Sequence, residues 1–548
     1  MKTVSPMRSK FRLATCLSAG FVVLTMQFAV AQDKEIADAK RLVEVDQSTK
    51  ALQALTTAAT TYPTSAAVFY NLGVAQLKAN LRKEALASFD KGIAADPKEA
   101  LNYAGKAQLS IMEAAPEKAK LDIDKALSMT KSKNVAVLQA VARAYMADPK
   151  KANDAIAVLT TAKARDGQNA ETMILLGDAY LQLNDGGKAV SAYESGAALD
   201  QKSALAHYKV GRVYLRSRNF DAAQESFAKA ISIDPNYALA YKEQGELFYQ
   251  QKKSKEAVAA YEKFMTLTES PEKYQSRIAF YYLQDKNFDK ANGIFDQLMA
   301  KDSSTAYIYR YAGVTKFELQ DYPSAEKTFE KYFTIVKPEA IEVGDYNYAG
   351  KIELAMKQDS LAMEYFKKSL EKDPKQPELY QLMAESYYGQ RKFPESIDAY
   401  KKLFEVKKPA SADYYTLGRA YYFNSQFVQA DSTFATLSEL QPTMTIGPFW
   451  QARSKAAQDS TSENGLAKPY YEKLVEKALT TPDKSKTELV ESYMYLGYYS
   501  YLKGQTSAAK QFYSKVLAID PANEKAKVAM KALTAPPPQP KAKPKTGG

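Results

Sequence analysis

Hydrophobic and small residues recur along this chain at intervals of three and four, and short polar segments interrupt them. In the stretch 210–235, Gly211 and Tyr214 fall on one face of a first predicted helix, and Ala223 and Phe227 fall on one face of a second. A polar turn separates the two helices, and an Asp-Pro pair ends the second one. The pattern predicts a helical hairpin whose helices approach at the small residues and enclose the aromatic ones.

The same hairpin pattern returns with a period close to 34 residues. Its glycine and aromatic positions recur as Gly73 and Phe89, Gly177 and Tyr193, Gly313 and Phe329, Gly418 and Phe434, and Gly497 and Tyr513. These positions resemble those of the tetratricopeptide-repeat (TPR) family, whose unit is a helical hairpin of this length. The resemblance implies an all-α fold, a TPR helical-hairpin solenoid coiled into a right-handed superhelix of about 14 repeats.

Domain boundaries follow from the repeat pattern. We predict a signal peptide (1–31), a TPR array of repeats 1–12 (32–444), an irregular TPR-like repeat with an insert (445–489), a final TPR with a capping helix (490–533) and a Pro/Lys-rich disordered tail (534–548). The insert, QDSTSENGL, lengthens the turn between two helices, so we expect it to be an exposed and flexible loop.

Residues 1–31 differ in character from the rest of the chain. Four basic residues precede an apolar run that ends in Ala29-Val30-Ala31, the small-x-small pattern of a signal-peptidase site. We expect cleavage before Gln32; an uncleaved anchor is the alternative, because the apolar run of 19 residues is just long enough to span a bilayer. Together with the TPR resemblance, the signal indicates an exported bacterial TPR protein of a Gram-negative periplasm or cell envelope.

The residue inventory argues against catalysis. The chain contains one His and one Cys, and Cys16 lies inside the predicted signal. The mature chain therefore lacks the residues of an ordinary zinc site or of a Cys/His nucleophile pair. His207 stands where other repeats carry Tyr or Phe, which favours a packing role, and no glycine-rich phosphate-binding motif occurs. We expect no enzyme activity, no cofactor and no metal.

Charge narrows the range of partners. The formal net charge is +12, and loss of the four basic residues of the signal leaves +8. This excess is spread along the chain without a basic block, unlike the clustered charge of nucleic-acid-binding proteins. We expect no nucleic-acid partner, and membrane contact only through the signal or the tail. The tail itself is either a basic tether to an anionic surface or a disordered solubilising end, and the oligomeric state stays open.

A candidate partner-binding surface follows from the resemblance, which implies that the second, fifth, ninth and twelfth positions of each first helix line the concave face. On these positions we predict a binding surface made of Tyr208, Arg212, Tyr249, Arg310, Phe317, Tyr388, Tyr415, Arg419, Tyr422 and Tyr498. Tyr and Arg dominate the energetic centres of protein interfaces. The alternative role for these long side chains is to cover neighbouring hairpins of the scaffold.

The predicted function is that of an exported TPR scaffold, which mediates protein–protein interactions in the cell envelope by binding other proteins or extended peptide segments. A periplasmic carrier that binds glycan or another small envelope ligand on the same Tyr-rich face is the alternative. The Lys and Asn positions of the chaperone-binding carboxylate clamp are not matched; Tyr70 and Val74, for example, stand at the fifth and ninth positions of the second repeat.

We expect the mature protein to begin at Gln32 and to be released from cells by osmotic shock, because the run before Ala31 has the composition of a cleaved signal. Intact mass spectrometry of the released protein measures this directly. A protein that keeps residues 1–31 and sediments with membranes would show the anchor interpretation to be correct.

Overall fold

The computed structural model of the protein describes residues 31–534. The predicted signal, apart from Ala31, and the predicted tail, apart from Thr534, lie outside the described residues. Within 31–534 the chain forms 29 α-helices and no β-strand.

The described chain divides between Leu319 and Gln320 into two compact units. The helices of the first unit are α1 (31–44), α2 (Ser48–Thr61), α3 (Ala66–Lys78), α4 (Arg82–Ala95), α5 (Ala100–Met112), α6 (Pro116–Met129), α7 (Val135–Tyr145), α8 (Ala152–Arg165), α9 (Ala170–Gln182), α10 (Gly186–Leu199), α11 (Ala204–Arg216), α12 (Phe220–Ile233), α13 (Ala238–Gln250), α14 (Ser254–Leu267), α15 (Gln275–Gln284), α16 (Phe288–Lys301) and α17 (Ala306–Glu318).

The helices of the second unit are α18 (Tyr322–Ile335), α19 (Val343–Ala355), α20 (Asp359–Lys372), α21 (Pro377–Gly389), α22 (Phe393–Val406), α23 (Ser411–Phe423), α24 (Phe427–Leu440), α25 (Ile446–Gln458), α26 (Lys468–Ala478), α27 (Lys486–Leu502), α28 (Thr506–Ile519) and α29 (Glu524–Thr534). Short 3₁₀ helices lie at Pro149–Lys151, Pro271–Tyr274 and Pro338–Ala340.

Consecutive helices within each unit pack as antiparallel hairpins, and the helices follow the repeat boundaries predicted from the sequence. The all-α class and the TPR-like solenoid of about 14 repeats are therefore confirmed. The last helix, α29, packs on α28. It lies where a capping helix was expected, and it covers a hydrophobic face that an array would otherwise expose at its end.

In several hairpins the core depends on a small residue that faces an aromatic ring. A Cβ atom built on Gly211 of α11 would lie 2.6 Å from the ring of Phe227 on α12, and this ring is fully buried. Gly418 and Phe434 repeat the same contact at 2.6 Å in the second unit. Because any side chain at the glycine would overlap the ring, the repeated glycine sets how closely the two helices pack.

The turn inside most hairpins contains a residue in the left-handed backbone region. In the sixth repeat this residue is Arg218, at φ 60°, and the next amide, that of Asn219, donates a hydrogen bond to the Tyr214 carbonyl at 2.9 Å. The bond satisfies a carbonyl that the end of the helix would leave unpaired. The left-handed position recurs with the repeat, for example at Lys252, Lys286 and Ser425, and in the last repeat it is Gly504.

Hydrogen bonds within the insert of the irregular repeat hold its two ends together. Asp459 is buried at the end of α25, and its carboxylate accepts hydrogen bonds from the Asn464 side chain at 3.3 Å and from the Leu466 amide at 3.2 Å. Although burial opposes ionisation, the backbone N–H groups of Leu466, Asn464 and Gly465 hold the pKa of Asp459 below its usual range. Most of the segment is exposed, as expected from its composition, while the one buried carboxylate accepts hydrogen bonds from the turn.

Replacing Gly211 by Ala is expected to destabilise the first unit by about 1–3 kcal/mol, because the added methyl group overlaps the buried Phe227 ring. Hydrogen exchange of the amides in α11 and α12 measures the change. Gly293→Ala is the matched control: it lies in α16 with no atom within 4 Å of its added Cβ, and it is expected to be neutral or to stabilise by up to about 1 kcal/mol. Equal effects of the two substitutions would contradict this account of the hairpin core.

Candidate functional site

The first hairpin of the first unit is fastened to repeats far along the chain; we call these contacts the clasp. An ion pair joins Arg41 Nη2 to Asp234 Oδ2 at 3.0 Å. Asp46, in the turn after α1, accepts hydrogen bonds from the Thr268 hydroxyl at 2.9 Å and from the Tyr274 hydroxyl at 3.3 Å. These contacts connect residues about 190 to 230 positions apart, unlike the neighbour-to-neighbour contacts of a simple repeat array.

Glu269 completes the clasp by capping the N-terminus of α2. Its two carboxylate oxygens accept hydrogen bonds from the backbone amides of Thr49 and Lys50, at 2.5 and 3.1 Å. Although burial opposes ionisation, these backbone donors hold the pKa of Glu269 below its usual range. Since α2 has no capping side chain of its own, the distant carboxylate satisfies amides that would otherwise lack partners.

The clasp borders a chamber of about 770 Å³ inside the first unit. Its walls carry charges of both signs, including Glu44 and Lys78. Burial raises the pKa of Glu44 against the opposing charge of Lys78, and burial together with the nearby Arg143 lowers the pKa of Lys78. On another wall, Lys209 Nζ pairs with Asp178 Oδ1 at 2.6 Å. Several of the chamber's charges therefore already have opposite charges of the scaffold beside them.

Two of the predicted site residues line this chamber. Tyr208 is 6% exposed and packs against Tyr237, with ring centroids 5.3 Å apart. Arg212 lies over the Tyr208 ring at 5.7 Å, and its Nε is 3.9 Å from a carboxylate oxygen of Glu243. Tyr208 thus serves mainly as a wall, whereas the Arg212 side chain keeps 52% of its surface exposed.

Tyr249 belongs to an arginine–aromatic cluster of its own. Its ring packs against Phe280 and Tyr281 at 5.4 and 5.6 Å, and the guanidinium of Arg277 lies 5.3 Å from the Tyr249 ring. Arg277 also forms an ion pair with Glu246. The cluster is therefore neutralised within the unit. The remaining predicted residues of this unit, Arg310 and Phe317, are half-buried on α17.

In the second unit, two of the predicted residues, Tyr388 and Tyr415, come together around a third, Arg419, in what we call the arginine–aromatic surface. The Arg419 guanidinium lies 5.4 Å from the Tyr388 ring, 5.3 Å from the Tyr415 ring, 5.7 Å from Phe423 and 5.6 Å from Trp450. The Phe423 side is open to solvent, with 46% of that residue exposed. Such ring faces stabilise a cation more strongly as water is removed from around it.

The other two predicted residues of this unit differ in their surroundings. Tyr422 packs edge-on against Trp450 at 5.2 Å and against Phe427 at 5.5 Å, so that it supports the surface from beneath. Tyr498 on α27 is 45% exposed, as is the nearby Tyr501 at 55%. These two rings form an exposed aromatic pair on the first helix of the last repeat.

The neighbouring Arg453 also lies on aromatic rings but is paired with a carboxylate. Arg453 lies 4.2 Å from the Phe449 ring and 4.9 Å from the Trp450 ring, and its guanidinium donates two hydrogen bonds to Glu491, at 2.8 and 2.5 Å. The Tyr471 hydroxyl donates a further hydrogen bond to Glu491 at 3.1 Å. The charge of Arg453 is thus fully paired within the protein.

Sequence reasoning missed Trp450, Phe423, Arg453 and Glu491, although a signal for part of this set was present. Arg453 stands at the ninth position of the irregular repeat, which is a concave position of the kind used for the other residues. Phe423 occupies a thirteenth position and Trp450 a sixth, outside the pattern used for the prediction.

The described residues also bear on membrane insertion and on metal binding. None of the helices in residues 31–534 combines the length and apolar character needed to cross a membrane. In the same part of the chain, no group of three or more His, Cys, Asp and Glu side chains is arranged to hold a metal ion. His207 is half-buried on α11, where burial and the charge of Lys229 lower its pKa.

The fold and these surfaces define an all-α repeat protein with an aromatic and cationic face in each unit. Family models for the tetratricopeptide repeat match residues 36–100, 170–203, 208–268 and 490–523. A solved relative, the C-terminal part of a TPR repeat-containing protein from Cytophaga hutchinsonii, is 35% identical over 46% of this chain and 98% of its own, with a TM-score of 0.39. The chain belongs to the TPR family, as the resemblance implied.

Other solved structures are similar over shorter parts of the chain. The MamA protein is 28% identical over 32% of this chain and 96% of its own, with a TM-score of 0.27. YrrB, described as a TPR protein with an unusual peptide-binding site, is 23% identical over 34% of this chain and 96% of its own, with a TM-score of 0.23. No curated protein sequence matches the chain significantly.

Replacing Glu269 by Gln is expected to loosen the start of α2, because a neutral amide accepts hydrogen bonds from the Thr49 and Lys50 amides less strongly than a carboxylate. Loss of such a cap costs about 1 kcal/mol, or about fivefold faster hydrogen exchange at residues 48–52. Because the pKa of Glu269 is lowered in the folded protein, the same loosening is expected in the unmodified protein as the pH falls through that pKa.

Glu272→Gln is the matched control for the clasp. Glu272 is exposed three residues away, so its replacement is expected to leave exchange at residues 48–52 unchanged. If both substitutions accelerate exchange equally, general loss of negative charge, and not the cap, is responsible.

Proposed function

We propose that this protein is an exported TPR scaffold that binds other proteins, or extended segments of them, in the cell envelope or periplasm of a Gram-negative bacterium, without catalysis of its own. The observation that carries the proposal is the arginine–aromatic surface around Arg419, where a cation and several rings meet at a partly exposed face. Membership of the TPR family, whose arrays serve as protein-interaction scaffolds, supports the same class.

The physical basis of binding is a surface that is already ordered. Trp450 is held between Phe434, whose ring stacks on it at 5.5 Å, and the edge of Tyr422. Rings fixed by their neighbours lose little conformational freedom when a partner docks, so more of the contact free energy remains as affinity. Truncation of aromatic or arginine anchors of this type commonly costs about 2 kcal/mol or more of binding free energy.

Export rests on the sequence of residues 1–31, with their basic start, apolar run and Ala29-Val30-Ala31 end. A mature chain without cysteine suits either an oxidising or a reducing compartment, because no thiol is left to oxidise. The envelope location is therefore proposed from the signal alone.

A carrier function is the second candidate, and the exposed rings of Tyr498 and Tyr501 favour it. Aromatic faces stack on sugar rings as well as on peptide groups, and these two residues are 45% and 55% exposed. A glycan array probed with the purified protein tests this candidate. Selective retention of one glycan class, lost when both tyrosines are changed to Ser, would favour the carrier over the scaffold.

Site-specific photocrosslinking in intact cells tests the scaffold. A photoreactive phenylalanine analogue at Phe423, which is 46% exposed beside Arg419, is expected to capture a discrete protein partner. The matched control is the same analogue at Val428, which is 64% exposed on the second helix of the same hairpin. Equal capture at both positions, or no protein adduct at Phe423, would contradict a partner site on this surface.

A further inference from the structure

Aromatic rings contact four of the arginines described above, which differ in one respect. Arg277 pairs with Glu246, Arg453 pairs with Glu491, and Arg212 faces Glu243 at 3.9 Å. Arg419 contacts four rings but has no carboxylate within 4.0 Å among the described residues. Three of these arginines have a carboxylate of the scaffold beside them, whereas Arg419 has none within that distance.

The hydrogen bonds of Arg419 are also incomplete. Its Nε is buried and has no hydrogen-bond partner among the described residues, while Nη1 donates one long bond, of 3.4 Å, to the Tyr415 hydroxyl. A guanidinium has five N–H donors, and donors removed from water without partners are unfavourable. Tyrosine hydroxyls of the second unit satisfy these donors only in part, and none of its described carboxylates does so.

The register of the repeats shows where the acceptor is missing. A cation at the ninth position of one repeat pairs with an acid at the second position of the next: Lys351 with Glu378 at 2.8 Å, and Arg453 with Glu491. Arg419 is also at a ninth position, but the second position of the following repeat is Ile446. An apolar residue thus stands where the other two pairs have a carboxylate.

We propose that Arg419 binds a carboxylate of an acidic segment of the partner protein at the surface formed with the rings of Tyr388, Tyr415, Phe423 and Trp450. The inference rests on the proposed scaffold function and names the partner chemistry at that surface. The planar guanidinium matches the geometry of a carboxylate, and the rings exclude water from around the contact. Phe423, exposed at the rim, covers the hydrocarbon part of the bound acidic residue.

The attraction for an acidic segment is local to Arg419, because acidic and basic residues nearly balance in residues 320–534, where the net charge is +1. Arg419 then fixes where one carboxylate docks. Binding of this kind weakens as salt is added, because the long-range part of the attraction is screened.

The fluorescence of Trp450 can report binding at Arg419, because Trp450 is the only Trp in the sequence and lies 5.6 Å from the Arg419 guanidinium. Hexaglutamate is titrated into the full-length protein, with hexaglutamine as the uncharged probe. We expect hexaglutamate alone to change the fluorescence, and Arg419→Gln to weaken its binding roughly tenfold or more. Peptides with free and amidated C-termini show whether side-chain or terminal carboxylates are bound.

A second pair of variants tests the register. Ile446→Glu places a carboxylate where Glu378 and Glu491 stand in their repeats, so it is expected to pair with Arg419 and to weaken hexaglutamate binding as strongly as Arg419→Gln does. Ile446→Gln is the control of equal size without charge and is expected to bind as the unmodified protein does. Circular dichroism of each variant verifies that helix content is kept.

Three results would overturn the proposal: no fluorescence change with hexaglutamate, undiminished binding by Arg419→Gln, or equal weakening by Ile446→Glu and Ile446→Gln. The crosslinking experiment separates these failures from failure of the scaffold function. If Phe423 still captures a protein partner in the Arg419→Gln background, the scaffold function stands and the carboxylate chemistry is wrong. If Phe423 captures no partner in the unmodified protein, the scaffold function itself is wrong.

Discussion

The contact between a small residue on one helix and an aromatic ring on the next determines most of this structure. At Gly211 and Gly418, a side-chain carbon would overlap a buried phenylalanine, so the helices of these hairpins approach as closely as their backbones permit. Each repeated contact fixes the same helix-to-helix geometry, and neighbouring hairpins then stack with the same faces in contact. The position of a residue within its repeat consequently determines whether it faces the core, the solvent or the concave side.

This regularity explains why so much of the fold could be predicted. The Gly, Ala and aromatic positions of the stretch 210–235 predicted both the helices and their pairing. A core made of repeated contacts requires the same residue types at the same position of each repeat, so it can be recognised in the sequence. The turns were harder to predict. Arg218 adopts a left-handed backbone conformation, which is usually predicted from a glycine. An arginine at this position does not indicate it. Asp459 likewise orders its loop by hydrogen bonds that composition does not show.

The candidate site could be predicted only in part, for the same reason. Arg419, Tyr415 and Tyr388 come together because they hold concave positions in adjacent repeats, which the pattern gives directly. Whether such a side chain is buried, paired or open depends on the identity of its neighbours in the next repeat. Tyr208 became a wall of a chamber because the first hairpin lies beside it, and no local pattern reports a contact across about 200 residues.

The clasp determines which part of the first unit completes its contacts last. Almost all contacts of a TPR array join neighbours in sequence, so such arrays can fold progressively as the chain emerges. Asp46, in contrast, finds its partners only after Thr268 and Tyr274 have been synthesised and their hairpins formed. The cap that Glu269 places on α2 is delayed for the same reason. The first hairpin is therefore the last part of its unit to reach its final contacts, although it is the first to be made, and until then part of its hydrophobic face stays uncovered.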